Sequence, residues 1–136
     1  MAGMVANLVS QYFQAQDTKV RELRDDLLSV GWNFEGGSLQ IFLQFNEEDN
    51  RVHLEGLDFA KVPENKYDAL YKVLNECNDR YIYVKFVLDE ENGQINARCD
   101  NIIQLDTCGE NCYELMVRML KIVEDAYPSF MKALWT

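Results

Sequence analysis

Few residues in this chain have types and spacing that could do chemistry. His53 is the only histidine. It stands between Val52 and Leu54 in an alternating stretch, so the plain reading is an exposed strand residue and a general base is the exceptional one. Without a second histidine it cannot build a common zinc site with its neighbours. Cys108 and Cys112 lie four apart where a helix is predicted to start, a place where the helix dipole lowers a thiol pKa and could make Cys108 reactive. The C-x-x-x-C spacing is not that of redox or zinc motifs, and packed, reduced thiols are the simpler account. Asp89, Glu90, Glu91 and Gly93 faintly resemble a calcium loop. The glycine falls one place early and no bidentate glutamate follows at the right distance, which leaves a solvated hairpin turn. Gly36 and Gly37 open no helix and have no basic residue beside them, so they form no phosphate loop. No serine sits in a nucleophile elbow. The expectation is a domain without catalytic, metal-binding or cofactor-binding residues.

The elements that must position these groups centre on Leu57 to Leu88, LDFAKVPENKYDALYKVLNECNDRYIYVKFVL, which reads as one helix feeding into one strand. Pro63 suits the first helical position, where its missing N–H costs nothing, and Glu64 complements the helix dipole. Tyr67, Leu70, Tyr71 and Leu74 recur at i, i+3, i+4 and i+7, with Val73 and Cys77 widening the stripe, over about four turns. Asn78 and Asp79 supply a stop. In the strand that follows, Ile82, Val84, Phe86 and Leu88 share one face and Tyr81, Tyr83, Lys85 and Val87 the other. Both faces are largely apolar, which predicts a mid-sheet strand or one covered from both sides, in a small domain often by a second subunit.

The chain opens on a helical stripe of Val5, Leu8, Val9, Tyr12 and Phe13. Asp17 to Asp26 reads equally as helix or as a short edge strand. Leu28, Val30, Trp32 and Phe34 then alternate with polar residues in a half-buried strand, and the Glu35 to Ser38 turn leads to a second strand with Leu39, Ile41, Leu43 and Phe45 inward and Phe42 on the wet side. Glu47 to Asn50 turns into a third strand, where Gly56 marks a phase shift that predicts a bulge. After Leu88, Asn92-Gly93 is a strong hairpin signal, and Ile95, Ala97 and Cys99 face one way in the returning strand. Thr107 and Glu110 form a T-x-x-E capping box before a long apolar stripe from Cys112 to Tyr127. Pro128 interrupts it, and Phe130, Met131, Leu134 and Trp135 predict a kinked helix that folds back. The order helix, three strands, helix, two strands, helix is segregated, hence α+β with an antiparallel sheet in a single domain over 1–136.

Composition sets the outer bounds. The chain has 136 residues, 48% hydrophobic and 26% charged, which suffices for a self-contained core and argues against disorder. Its net charge of −10 should repel nucleic acid and anionic membrane, since binding either requires Lys and Arg to displace counterions. With no basic leader and no long apolar window, a cytoplasmic location is expected. The four cysteines sit within or at the start of regular elements, unlike a disulfide framework.

The central LDFAKVPENKYDALYKVLNECN, the YIYVKFVLDEENG strand and turn, and the closing DTCGENCYELMVRMLKIVEDAYPSFMKALW together resemble the YbjN-type bacterial proteins, described as sensory transduction regulators. The resemblance covers nearly the whole chain, more loosely over the first helix and Asp17 to Asp26. It implies a fold similar to type III secretion chaperones, which are small, acidic, mostly homodimeric proteins that bind extended segments of other proteins, and it carries over no catalytic or cofactor residue. The expected homodimer uses the central helix and the strand after it, with Tyr67 and Tyr71 on the helix, Tyr81, Tyr83 and Val87 on the strand, and Phe42 on another strand as interface residues. Two function classes follow: a non-enzymatic protein-binding module, chaperone-like or regulatory, and a small-molecule-sensing regulator with its ligand between the sheet and the C-terminal helix.

Overall fold

The structure, a computed structural model, describes residues 3–136. Helix α1 (Met4–Ala15) is followed by β1 (Arg21–Arg24), β2 (Leu27–Phe34), β3 (Gly37–Asn46) and β4 (Arg51–Leu57). A single 3-10 turn (Glu64–Lys66) then leads into α2 (Tyr67–Arg80), β5 (Lys85–Asp89), β6 (Gln94–Ile102) and α3 (Cys108–Trp135). The fold is α+β, and its six strands form one antiparallel sheet in the order β1-β2-β3-β4-β6-β5. The undecided stretch after α1 therefore supplies a short, exposed edge strand, and four strands rather than three precede α2.

The pleat sorts side chains into two faces. Leu28, Leu43, Leu54 and Cys99 line up across neighbouring strands, as do Val30, Ile41, Gly56, Ala97 and Phe86, and these rows are buried against the helices. The opposite face carries Ser29, Phe42, Glu55, Arg98 and Lys85 in one row and Leu27, Gln44, His53 and Asp100 in the next. α3 supplies Met116, Met119, Leu120 and Val123 to the core, and α1 supplies Val5, Val9 and Phe13. The rings of Phe59, Phe86 and Phe130 tie the segment after β4, strand β5 and the end of α3 together, with Phe86 and Phe130 edge-to-face at 5.0 Å between centroids. Among the described residues no helix is long and apolar enough to cross a membrane.

Several local expectations are corrected. Gly56 causes no bulge, because the register of β4 runs unbroken through it against β3 and up to it against β6. Its role is close approach: a Cβ there would stand 3.1–3.3 Å from Leu39 Cδ1, Met119 Sδ and the Ala97 Cβ, so the sheet and α3 can touch only over hydrogen. Pro63 precedes the 3-10 turn rather than opening α2 itself. Thr107 sits at the cap position of α3, but its hydroxyl accepts from Asn111 Nδ2 at 3.1 Å and no capping box forms with Glu110. Pro128 does not interrupt α3, which runs to Trp135. The missing N–H leaves a carbonyl on the exposed turn at Glu124, where water can serve it, while Phe130 anchors the turn beyond.

The largest correction concerns the strand after α2. It begins only at Lys85 and lies at the edge of the sheet, not in its middle. Of its second apolar side only Lys85 and Val87 belong to the strand, on the face of the sheet away from the helices, while Tyr81 and Tyr83 fall before it. Asn78, expected to stop the helix, lies two residues inside its end and performs another task. Its Nδ2 donates to the Phe86 carbonyl at 3.0 Å, and the Phe86 N–H donates to its Oδ1 at 2.7 Å. One side chain thus stands in for a seventh strand at the middle of β5. Lys85 closes the helix from the other direction, its Nζ donating to the carbonyls of Asn78 and Tyr81 at 2.7 and 2.9 Å.

Candidate functional site

Because β5 starts late, the chain between α2 and β5 is shaped by what must be reached from the helix end. Tyr81 packs its ring edge-on against Phe86 and donates its hydroxyl to the Asp125 carboxylate of α3. Tyr83 then takes a left-handed backbone conformation, φ 75°, which is strained for an aromatic residue. That turn lays its ring under the Arg118 guanidinium, 4.8 Å from the centroid, while Arg118 Nε donates to Glu114 Oε1 at 2.9 Å. Between the two tyrosines Ile82 is left 74% exposed.

The same late start leaves β6 longer than its neighbour. β5 pairs with β6 only as far as Lys85 opposite Arg98, whereas β4 accompanies β6 to Ile102. The last turn of the sheet therefore has one open side. Ile102 there is 75% exposed, and Tyr83, Asn101, Ile102, Leu115 and Arg118 line a groove of about 260 Å³ between the open strand end and α3. Tyr83 and Ile102 thus meet at one apolar corner, with Ile82 exposed next to Tyr83 in the chain.

The residues expected at an interface do not share one face. Tyr81 is held against α3, Tyr83 stands at the open corner, and Val87 belongs to the helix-free sheet face with Phe42. Tyr67 is half-buried with its hydroxyl donating to the Glu90 carbonyl at 3.2 Å, and Tyr71 is 47% exposed on the outside of α2. The inward stripe of α2 is Leu70, Leu74 and Cys77. Reading the strand from Tyr81 placed Ile82 on one face with Val84, Phe86 and Leu88, and nothing in the phase of β6 marked Ile102 or linked Arg118 to Tyr83. A positive φ at a tyrosine has no sequence signal, so the corner was missed.

His53 is not a free strand residue. Its Nδ1 lies 2.7 Å from Asp100 Oδ1 and its Nε2 2.6 Å from Glu55 Oε1, and Arg98 Nε donates to Glu55 Oε2 at 2.9 Å. Both imidazole neighbours are carboxylates, so both ring nitrogens donate and the cation is favoured. Burial works against that charge, but hydrogen bonds to Glu55 and Asp100 and the charges of both outweigh it and raise the pKa above its ordinary value. All four cysteines are free and buried. Burial pushes the Cys108 thiol up despite its position at the helix start, and pushes Cys99 to about 11 and Cys112 to about 12. The simpler account of Cys108, a packed thiol, matches its place in the core, where its Sγ donates to the Leu105 carbonyl at 3.4 Å. Among the described residues, no group of three or more His, Cys, Asp or Glu side chains is placed to hold a metal ion.

No curated protein sequence matches the chain. Two solved structures share its fold. One is "YbjN, a putative transcription regulator from E. coli", with a TM-score of 0.66 and 11% identity, covering 91% of this chain and 92% of that one. The other is a chain of the ExsC-ExsE complex, with a TM-score of 0.60 and 17% identity, covering 88% of each. The α+β architecture expected from the sequence is thus one shared with both structures. The family model described as YbjN, "Putative bacterial sensory transduction regulator", matches residues 6–129. With that match spanning all but the ends, the chain belongs to the YbjN family.

Proposed function

We propose that this protein is a non-enzymatic regulator that works by binding another protein, in the manner of a chaperone or an adaptor. The observation that carries the reading is the exposed apolar surface of Tyr83 and Ile102, which line one groove, with Ile82 beside Tyr83 in the chain also left in solvent and Tyr83 in a strained backbone conformation. Burial of such side chains contributes on the order of 1.5–3 kcal/mol each, a gain available only with a partner. Two further observations support it: the family description is of a regulator, and one fold neighbour is a member of a two-protein complex. The reading includes a homodimer that uses the outer side of α2 at Tyr67 and Tyr71, and a cytoplasmic location in keeping with four free thiols.

The alternative, a regulator with a small ligand between sheet and C-terminal helix, meets a filled space: Met116, Met119, Val123 and Phe130 are fully buried there. The concavities beside α3 are a groove of about 330 Å³ among Phe59, Pro63, Tyr127, Met131 and Trp135 and one of about 180 Å³ among Val5, Phe45, Ile103 and Cys108.

The test is capture from lysate of the native source, with cross-linking to map contacts and light scattering to give the mass. Reproducible capture of a polypeptide by the wild type that is lost with Tyr83→Glu supports the binding reading. A monomeric mass at micromolar concentration refutes the homodimer. Failure to retain any protein, with thermal stabilisation by a small molecule instead, refutes the binding reading and favours the alternative.

A further inference from the structure

We propose that the groove between segment 59–63 and the last turns of α3 binds a small, flat, uncharged molecule whose edge carries an amide N–H beside its C=O, such as a lactam or a nucleobase-type ring. The inference goes beyond the protein-binding reading and stands without it, because it uses no residue of the Tyr83 corner.

The backbone supplies the recognition. Beyond Leu57 the chain leaves β3 and runs on beside β6, the Val62 N–H donating to the Gly93 carbonyl at 2.8 Å and the Ile95 N–H to the Ala60 carbonyl at 3.0 Å. Those two bonds bracket the Lys61 to Gln94 bridge, so Lys61 turns its own N–H and C=O away from β6. Neither has a backbone partner among the described residues, and Lys61 lines the groove. The open pair is one residue long: Asp58 on one side takes a left-handed φ of 64°, and Pro63 on the other has no N–H. An added strand finds no ladder to continue there. A single amide edge is matched at both points, its C=O accepting from the Lys61 N–H and its N–H donating to the Lys61 C=O.

The walls set the rest of the chemistry. Phe59, Pro63, Tyr127, Met131 and Trp135 border a space of about 330 Å³, a size and lining that suit a small ligand. Trp135 is 84% exposed and gives a flat ring a face to stack on. Both walls are fixed from behind. The Phe59 ring packs on Phe86 and Phe130, Tyr127 packs edge-on against Phe34, and Lys66 Nζ donates to the Thr136 carbonyl at 2.9 Å, which ties the end of α3 to the turn after Pro63. An ionic ligand is not called for. Lys61 is the one charged residue of the lining, and its side chain belongs to the pleat face of Gln94 and Asp89. The exposed edge of β1 also offers free backbone, but the hollow beside it is lined by Gln14, Asp17, Thr18, Lys19 and Arg21, with no aromatic wall.

The probes are 2-quinolinone, a fused-ring lactam, and uracil, each titrated into the isotope-labelled full chain and followed by nuclear magnetic resonance. The expected result is a saturable shift of the Lys61 amide and Trp135 indole signals, with slower hydrogen exchange at the Lys61 amide. N-methyl-2-quinolinone, which keeps the shape and lacks the donor, should bind at least about tenfold more weakly. Lys61→Pro removes an N–H that the ladder does not use, which such a position tolerates, and should weaken binding as much. Lys61→Gln keeps the backbone and should bind as the wild type does. Trp135→Ala, at an exposed site, should weaken binding severalfold with the thermal midpoint unchanged. No saturable shift with either ring at millimolar concentration, equal binding of the N-methylated ring, or loss of binding with Lys61→Gln overturns the proposal. Equal protection of the Lys61 amide by a short blocked peptide also overturns it, since an extended chain would then be the occupant. Tyr83→Glu should leave ring binding unchanged, so its effect on lysate capture and the effect of Lys61→Pro on ring binding report on the two readings separately.

Discussion

Replacing Asn78 by alanine tests whether one amide closes the sheet edge. Its two hydrogen bonds to Phe86, at 3.0 and 2.7 Å, serve a backbone N–H and C=O belonging to a residue only 2% exposed. Each bond is worth about 1 kcal/mol net, and a buried group left without a partner costs roughly 1–3 kcal/mol. Water entering along the exposed end of α2 would recover part of this, so a loss of about 2–3 kcal/mol is expected for Asn78→Ala. With a urea slope of about 1–3 kcal/mol per molar, the midpoint should fall by about 1 M or more, with the slope unchanged. Asn78→Asp keeps the acceptor for the Phe86 N–H but sets a carboxylate against the Phe86 carbonyl. Its deficit relative to wild type should shrink as pH falls and the protonated carboxyl becomes a donor. The assay is urea unfolding followed by far-ultraviolet circular dichroism, with light scattering to detect edge-to-edge association. A midpoint shift below about 0.3 M for Asn78→Ala would refute the reasoning, since the amide would then be no more than a surface contact.

His53 has a folded pKa above its unfolded one, so its stabilising contribution is complete below the unfolded value of 6.5 and is lost as pH rises through the folded value. The stability difference between wild type and His53→Gln should therefore be larger at pH 5.5 than at pH 8.5, by urea midpoint; a flat difference would show that the carboxylates do not hold the cation. Gly56→Ala forces a methyl between Leu39, Met119 and Ala97 and should cost about 1–3 kcal/mol, read as a lower thermal midpoint; an unchanged midpoint would mean that α3 yields freely. In native protein at pH 8 the four thiols should resist a thiol-specific reagent and react together on unfolding, with Cys112 protected by both burial and its raised pKa. Rapid labelling of one thiol in the folded protein would contradict the packing around Cys108.

The parts of the fold that were legible in the sequence are those where one period governs a whole element. β3 alternates cleanly through Leu39, Ile41, Leu43 and Phe45, and all four are buried. The first three turns of α3 show their stripe equally well, and α1 does so at Val5, Val9 and Phe13, while Leu8 of the expected stripe stands exposed. Reading failed where two elements share one apolar run. Tyr81 to Leu88 has enough β-formers for an eight-residue strand, but Tyr81 is drawn to Asp125 and Tyr83 to Arg118, partners distant in the chain that no local pattern announces. Gly56 looked like a bulge because a glycine at a phase change usually is one; contact with Met119 of α3 was the competing reason. The candidate corner inherited the first error, since its exposed residues became visible only when β5 was found to start at Lys85.

The strand order also has a dynamic consequence. β4 pairs directly with β6, so everything between them, from Asp58 to Gly93, is an excursion that leaves the sheet and returns along its far edge. The excursion is fastened by the Phe59, Phe86 and Phe130 rings, the Lys61 to Gln94 bridge and the Asn78 amide, while the β4–β6 ladder does not depend on it. Such an arrangement allows α2 and β5 to detach as one cooperative unit with five strands still joined, and native-state hydrogen exchange would report it as a shared, lower opening energy for those amides. The corner at Tyr83 stands where that unit meets the rest. Anything bound across it would stitch the two parts together, and occupancy there would be felt as a stiffening of the whole C-terminal half.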